Sequence, residues 1–198
     1  MLDFDALLDA HKAQLGKAVG RFQEPDDADF ARHLRLAAHW IDGRWPRIVS
    51  ATLTLTAEVA EYATPADCRA FLAHDWGTYA SYRPWDESSP GLPPLVQFVE
   101  TDTGPVLGFA PAPSGVQIQA WGATFRYRYR RAHVLTASEV TVSAEREADV
   151  LLAALIEAMR DLAAETSTVQ LQRGLAGIPT AGTPAYLYEK LLLEWERR

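Results

Sequence analysis

Hydrophobic and polar residues alternate strictly between positions 49 and 59 of this chain. Successive side chains of a β-strand point to opposite faces, so the alternation predicts a strand over roughly 48–59 with one dry face and one wet face. The threonines on the wet side suit a pleated, half-exposed surface. Such a strand is typical of an antiparallel sheet that covers a core on one side. The dry face would hold Val49, Ala51, Leu53, Leu55, Ala57 and Val59.

Two helical stripes precede this strand. Apolar residues recur at helical spacing over residues 2–19, and Gly20 is placed to end the first helix. A second stripe covers residues 30–41, with Gly43 predicted to close it. We therefore predict a helical hairpin over residues 3–42.

Short strands and turns follow the first strand. Thr64-Pro65-Ala66-Asp67 predicts one helical turn and then a strand. Seven prolines between positions 84 and 113 favour an antiparallel sheet or sandwich over βαβ units. Together these segments form a predicted β-rich core over residues 46–142. Its further elements are expected at 70–76, 95–100, 106–110 and 116–131.

The period becomes helical again towards the end of the chain. Apolar residues predict a long helix over 144–165 that is buried over much of its circumference. After the small residues of 174–183, Thr183-Pro184 is placed to start a last amphipathic helix. That helix can fold back on its own core or dock onto a partner, and the sequence leaves both open. Its apolar face comprises Leu187, Tyr188, Leu191, Leu192 and Trp195.

These elements predict an α+β fold. We expect a single domain over 1–173, built from the hairpin, the β-rich core and the long helix, followed by a tether and docking helix over 174–198. The 198 residues are 48% hydrophobic and 23% charged, which is ordinary for a globular chain with a real core. No run approaches the roughly 18 apolar residues of a membrane span, and the acidic, amphipathic N-terminus does not read as a secretion signal. We expect synthesis in the cytoplasm and no membrane partner.

Catalytic motifs are not evident. The sequence has no phosphate-binding P-loop, no dinucleotide-binding glycine pattern, no nucleophile elbow and no His-Glu-x-x-His pair. The five histidines are scattered, and the single cysteine, Cys68, cannot form an internal disulfide. We therefore expect no enzyme activity, no cofactor and no metal site.

The most distinctive local pattern is Phe125-Arg126-Tyr127-Arg128-Tyr129-Arg130-Arg131. In a strand, the three aromatic rings share one face and the arginines of the even positions share the other, with cations roughly 7 Å apart. The cations could meet phosphates or an acidic neighbouring subunit. They could also pair across the sheet with Glu58, Glu100 or Asp102. The net charge of −7 confines any nucleic-acid contact to such a local feature.

Tryptophans are the other potential anchors. Six occur in the chain, and Trp85 lies in a proline-rich loop over 81–94 that is long for a compact sheet. Such a loop could contact a neighbouring subunit or, in a carbohydrate-binding module, provide a stacking platform.

The order of these parts resembles the head-tail adaptor, or connector, proteins of tailed bacteriophages and gene-transfer particles. The resemblance covers roughly residues 26–165 and rests on a helical N-terminus, a strand leading into EYATPAD, VLGFAPAPSG, FRYRYRRAHVLT and a long helix. It implies a structural virion protein of the neck, at the head-tail interface, which is not an enzyme. On this basis Tyr62, Pro65 and Asp67 would lie at a structural corner.

The same resemblance implies partners. Subunits of this kind form a ring, expected to be twelve-fold, beneath the portal protein and extend the DNA channel towards the next neck or tail ring. They often use a C-terminal segment to grip the portal, while DNA passes through without sequence specificity. The implied portal-binding residues are Tyr186, Leu187, Tyr188, Leu191, Leu192, Trp195 and Arg198. The implied contacts to neighbouring subunits or to DNA in the channel are Trp85, Arg126, Arg128, Arg130 and Arg131.

Two other classes of function remain open from the sequence. A nucleic-acid or carbohydrate binding β-module would use the 126–131 strand or the loop tryptophans, but would leave the last helix without a role. The other class, a hydrolase without a recognisable motif, would account for no specific feature of the sequence.

Overall fold

The computed structural model describes residues 2–22, 25–78, 89–166 and 182–198. The described residues form an α+β fold, as predicted, with five α-helices and two three-stranded antiparallel sheets. The helices are α1 (Phe4–Leu15), α2 (Ala28–Arg44), α3 (Gly115–Trp121), α4 (Glu147–Thr166) and α5 (Pro184–Arg197). The strands are β1 (Arg47–Thr54), β2 (Glu61–Ala63), β3 (Cys68–His74), β4 (Leu95–Thr101), β5 (Gly104–Ala110) and β6 (Thr124–Arg131).

The chain divides into two compact units. The helical unit comprises residues 1–45 and 133–198, and the β unit comprises residues 46–132. Both ends of the chain therefore belong to the helical unit, and the β unit is an insertion between α2 and α4. The single domain expected over 1–173 stays a prediction.

Helix α4 is the centre of the helical unit. It is buried along its length because α1, α2 and α5 all pack against it. Val150, Ala154, Ile156 and Ala158 are completely inaccessible to solvent, which accounts for the apolar circumference read from the sequence. The predicted helix over 144–165 is confirmed, except that a short 3-10 turn over Ala144–Arg146 precedes α4.

Helix α5 docks on the core of its own unit. Thr183 caps its first turn by accepting a hydrogen bond from the Tyr186 N–H, so the predicted Thr183-Pro184 start is confirmed. Trp195 is only 7% exposed and packs edge-on against Trp40 and Trp45, with ring centroids 5.6 and 5.7 Å away. Of the two alternatives left open by the sequence, the structure has the helix folded back on its own core.

Hydrogen bonds tie together the points where the chain leaves and re-enters the helical unit. The Asp42 carboxylate accepts a bond of 2.7 Å from the His133 backbone N–H. The imidazole Nε2 of His133 lies 3.0 Å from the carbonyl oxygen of Trp45. Trp45 itself is covered by the Arg146 guanidinium, 4.2 Å from the indole centroid. The ends of the inserted segment are thus held next to each other.

The β unit is a small sandwich. One sheet has the order β1-β6-β3 and the other β2-β5-β4, and both are antiparallel throughout. Their facing sides share one core, in which Phe109 of β5 contacts Phe125 of β6 with ring centroids 5.0 Å apart. β6 is the central strand of its sheet, and its inner side chains Phe125, Tyr127 and Tyr129 are all buried.

Several predicted boundaries are wrong. The first helix ends at Leu15, because Gly16 adopts a left-handed φ of 53° and a 3-10 turn continues to Arg21 in place of a helix reaching Gly20. The second helix runs through Gly43 and ends at Arg44. The first strand stops at Thr54, since the chain turns at Glu58, whose φ is 64°.

Two further expectations differ from the structure. Ala57 and Val59, assigned to the dry face, are exposed. The predicted strand over 116–131 is a helix followed by a strand, because Ser114 and Gln117 form a capping box that starts α3. Pro65–Cys68 is a single hydrogen-bonded turn leading into β3.

We predict that Trp195→Ala lowers the free energy of unfolding by about 3–5 kcal/mol, because it removes a buried indole and leaves a cavity beside α4. The measurement is chemical denaturation followed by circular dichroism. Leu193→Ala on the same helix is the matched control, since Leu193 is 54% exposed and its loss should change stability by about 0.5 kcal/mol or less. Equal effects of the two variants would show that α5 is not held through Trp195.

Candidate functional site

The strand β6 carries two chemically different faces. Phe125, Tyr127 and Tyr129 are buried and Arg126, Arg128 and Arg130 are exposed, as the sequence alternation predicted. The aromatic side is fixed by the sandwich core, so it determines which way the arginines point. We call Arg126, Arg128 and Arg130 the arginine row, and the side of the β1-β6-β3 sheet that carries it the outer face.

The positions opposite the arginine row carry small or apolar side chains. Across β1, Thr52 lies opposite Arg126, Ser50 opposite Arg128 and Ile48 opposite Arg130. On the β3 side, Ala73 and Ala70 lie opposite Arg128 and Arg130. Within the described part of the chain, no carboxylate forms an ion pair with the row, so the pairing expected with Glu58, Glu100 or Asp102 is not found there.

Arg131 belongs to the opposite parity. Its guanidinium forms an ion pair with the carboxylate of Asp67, which also accepts a hydrogen bond of 3.3 Å from the Tyr129 hydroxyl. The side chain therefore fastens the start of β3 to the end of β6. The structure separates Arg131 in role from the three exposed arginines with which the sequence grouped it.

A cavity of about 250 Å³ opens beside the arginine row. Ser50 contributes a hydroxyl group to its wall, Arg126 and Arg128 contribute cations, and Asp75 contributes a carboxylate. The Nδ1 atom of His74 is buried and has no hydrogen-bond partner within the described chain. Burial lowers the pKa of His74, so the imidazole is neutral at pH 7. Among its described lining side chains, the cavity therefore has two cations and one anion.

The residues singled out by the EYATPAD motif hold a corner of the β unit. The Tyr62 hydroxyl accepts a bond of 2.7 Å from the Thr56 N–H and donates one of 2.9 Å to the Thr56 carbonyl. The Pro65 carbonyl accepts the Cys68 N–H at 2.9 Å, and Asp67 binds the end of β6. These contacts are structural, since the Tyr62 hydroxyl and the Asp67 carboxylate both bond to other residues of the β unit.

The predicted partner-binding residues of α5 fall into two groups. Tyr188, Leu191, Leu192 and Trp195 pack against the core of the helical unit, and Tyr186 is half-buried. Leu187 is 40% exposed and lines a cavity with Leu155 and Met159, and Leu193, which the sequence did not single out, is 54% exposed. Arg198 donates hydrogen bonds to Asp149 at 2.9 Å and to Glu194 at 3.1 Å. Trp85 lies outside the described residues.

Sequence reasoning missed a buried polar network in the helical unit. Nε2 of His11 lies 3.3 Å from Nδ1 of His33, and Nε2 of His33 lies 3.0 Å from the Asp161 carboxylate. Arg32 pairs with the same carboxylate at 2.8 Å. The network joins α1, α2 and α4. A signal was present, since His11 lies four residues from both Leu7 and Leu15 on an apolar stripe.

Burial keeps the two imidazoles neutral. The pKa of His11 is lowered from 6.5 to about 4, first by burial and second by the neighbouring His33. The pKa of His33 is also lowered by burial, although its hydrogen bond to Asp161 opposes the shift. Burial alone would raise the pKa of Asp161, but the hydrogen bonds from His33 and Arg32 outweigh it and lower that pKa.

A scan against protein-family models finds no match, and a search of curated proteins finds no significant match. Among the described residues, no three or more His, Cys, Asp or Glu side chains are grouped so that they could hold a metal ion. None of the helices in the described ranges is long and apolar enough to cross a membrane.

We predict that acid weakens the helical unit through the buried histidines. Between pH 6.5 and about 4 the unfolded chain binds protons at His11 that the folded chain does not, so the free energy of unfolding falls as the pH falls through this window. Urea titrations at pH 7, 6 and 5 measure this slope. His11→Gln should flatten it because the titrating group is gone.

His39→Gln is the control, because His39 lies on the same pair of helices but is exposed. It should keep the slope of the original protein. Parallel stability curves for the original protein and His11→Gln would contradict the assignment.

Proposed function

We propose that this chain is a structural virion protein, a head-tail adaptor subunit that joins a ring on the portal and extends the DNA channel towards the tail. In this role it is not an enzyme and acts in the virion neck. Its partners would be the portal protein, neighbouring copies of itself, the next ring of the neck or tail, and DNA that passes without sequence readout.

The observation that carries the proposal is the order of the elements. Two helices, an inserted β unit and a long helix that returns to the first two follow each other in the order on which the adaptor resemblance rests. The motif residues Tyr62, Pro65 and Asp67 stabilise a corner of the β unit, which is consistent with a scaffolding role. A role in joining other proteins needs rigid surfaces more than a reactive centre.

The proposal assigns partner contact to the outward side of α5. Because Trp195 and its neighbours are used by the core, the exposed apolar residues of α5 that could contact the portal are Leu187 and Leu193. Exposed leucines on one helix are an anchor that a hydrophobic groove can accept. Removing residues 175–198 would also uncover the core, so point substitutions are the better test.

A nucleic-acid binding β-module is the second candidate. It is favoured by the arginine row, which forms no ion pair with a carboxylate among the described residues. A carbohydrate-binding module is less well supported, because the described tryptophans of the β unit do not form an exposed platform. Trp76 is buried, with its indole N–H donating a bond of 2.7 Å to the Gly122 carbonyl, and it packs edge-on against Trp121. A stacking platform needs open ring faces.

Native mass spectrometry with the portal protein encoded near this chain tests the proposal. We expect a saturating complex with one copy per portal subunit. The double variant Leu187→Glu/Leu193→Glu should lose that complex while keeping its fold, because each leucine is at least 40% exposed and a charge there blocks apolar contact.

The matched control is Leu92→Glu/Val116→Glu, which places the same charges on exposed apolar positions of the β unit. It should bind as the original protein does. If the folded original protein forms no complex with the portal, the adaptor proposal is wrong. If the α5 variant binds normally, the ring role survives but α5 does not make the contact.

A further inference from the structure

We propose that the outer face of the β1-β6-β3 sheet binds the phosphodiester backbone of a nucleic acid, with the arginine row following successive phosphates. The inference does not depend on the adaptor assignment, because it rests only on the geometry of the β unit. It assigns to Arg126, Arg128 and Arg130 the phosphate contacts, and to Ser50 and Thr52 supporting hydrogen bonds.

The spacing of the row fits a linear polyanion. Alternate residues of an extended strand lie roughly 7 Å apart, so three arginines define a straight line of equally spaced cations. β6 is held on both sides by β1 and β3, so the backbone that carries this line is in place before any ligand binds. A guanidinium donates two parallel hydrogen bonds to one phosphate, which a single ammonium group cannot do.

The flanking residues strengthen the case for phosphate. Ser50 and Thr52 place a hydroxyl group beside Arg128 and Arg126, and hydroxyl and guanidinium donors together are the usual ligands of backbone phosphates. No aromatic side chain of β6 lies on this face, because Phe125, Tyr127 and Tyr129 are all turned into the core. β6 therefore offers phosphate contacts without an aromatic ring for base stacking, so we expect its binding to be indifferent to sequence.

An acidic protein surface is the competing occupant. A strand of a neighbouring protein can present carboxylates at the same spacing of roughly 7 Å, so spacing alone does not choose between the two occupants. The phosphodiester chain is favoured because the hydroxyl groups of Ser50 and Thr52 lie beside Arg128 and Arg126, and guanidinium and hydroxyl donors are the usual ligands of backbone phosphates. The net charge of −7 on the whole chain repels nucleic acid elsewhere and leaves the row as the local point of contact.

The cavity beside the row supplies one defined phosphate position. Its volume of about 250 Å³ can take a phosphate group between Arg126, Arg128 and the Ser50 hydroxyl. Asp75 also lines this cavity, so its carboxylate opposes an anion there. Removing this carboxylate should therefore tighten the binding of a phosphate in the cavity.

Fluorescence anisotropy with labelled twenty-nucleotide poly-dT, measured across a salt series, tests the row. We expect binding by the full chain at low salt that weakens steadily as salt is added. The triple variant Arg126→Gln/Arg128→Gln/Arg130→Gln should reduce the slope of log K against log salt by about 2, since each single-strand phosphate contact contributes about 0.7. The variant changes only exposed side chains, and its thermal unfolding is compared with that of the original protein to check the fold.

The matched control is Lys17→Gln/Arg35→Gln/Lys190→Gln, which removes three exposed positive charges from the helical unit. This control should leave the slope of log K against log salt unchanged. If the two triple variants have equal effects, binding depends on net charge alone and the proposal is wrong. Displacement of the oligonucleotide by low-millimolar inorganic phosphate, with equal binding of trinucleotide and twenty-mer, would assign the site to free phosphate and also overturn it.

Analytical ultracentrifugation of the same proteins tests the remaining possible occupant of the outer face, a second copy of this chain. If the chain does not bind the oligonucleotide but self-associates, and the arginine variant abolishes that association, the row contacts a second copy and the proposal is wrong. Failure of the portal complex would leave the oligonucleotide result unaffected, so the two proposals fall separately.

We predict that Asp75→Asn tightens oligonucleotide binding by several-fold at low salt, because it removes a carboxylate from the cavity wall. Only backbone atoms of Asp75 are bonded to Thr78, so the substitution leaves the local turn intact. Weaker binding by Asp75→Asn would show that no phosphate occupies the cavity.

Discussion

The helical unit depends on covering α4 from three sides. An apolar helix of 20 residues cannot remain in water, and its cover comes from α1 and α2 at the start of the chain and from α5 at its end. The helical unit therefore closes only when helices from the early and the late parts of the chain pack on α4. The contacts between Trp45 and His133 belong to the same closure, because they bring together the two points at which the inserted segment begins and ends.

This cover also determines which polar groups can be tolerated inside it. His11, His33 and Asp161 form one connected network, and the Trp40 indole donates a bond of 2.7 Å to the buried Glu157. Each of these groups would be costly if left alone in an apolar interior. The network is therefore understood first as a structural device that joins α1, α2 and α4, although its form resembles the relays of catalytic sites.

The same division between inward and outward sides shapes both candidate surfaces. Trp195 commits one side of α5 to the core, which leaves Leu187 and Leu193 for any partner. In the β unit, the aromatic side of β6 fills the sandwich and leaves the arginine row outside. A surface produced in this way can change its charge without loss of the core, because successive residues of a strand face opposite media.

Local patterns in the sequence were sufficient for the helical hairpin, the two faces of β6 and the start of α5 at Thr183, because period and capping act over a few residues. The short α3 was missed, since a seven-residue helix carries little periodicity and its capping box lies among strand-like residues. Only the tertiary structure decided that β6 pairs with β1 and β3, that His11 meets His33 across 22 residues, and that α5 covers its own α4. Those contacts join segments far apart in the chain, and their choice depends on which combination buries the most apolar surface while satisfying the polar groups enclosed with it.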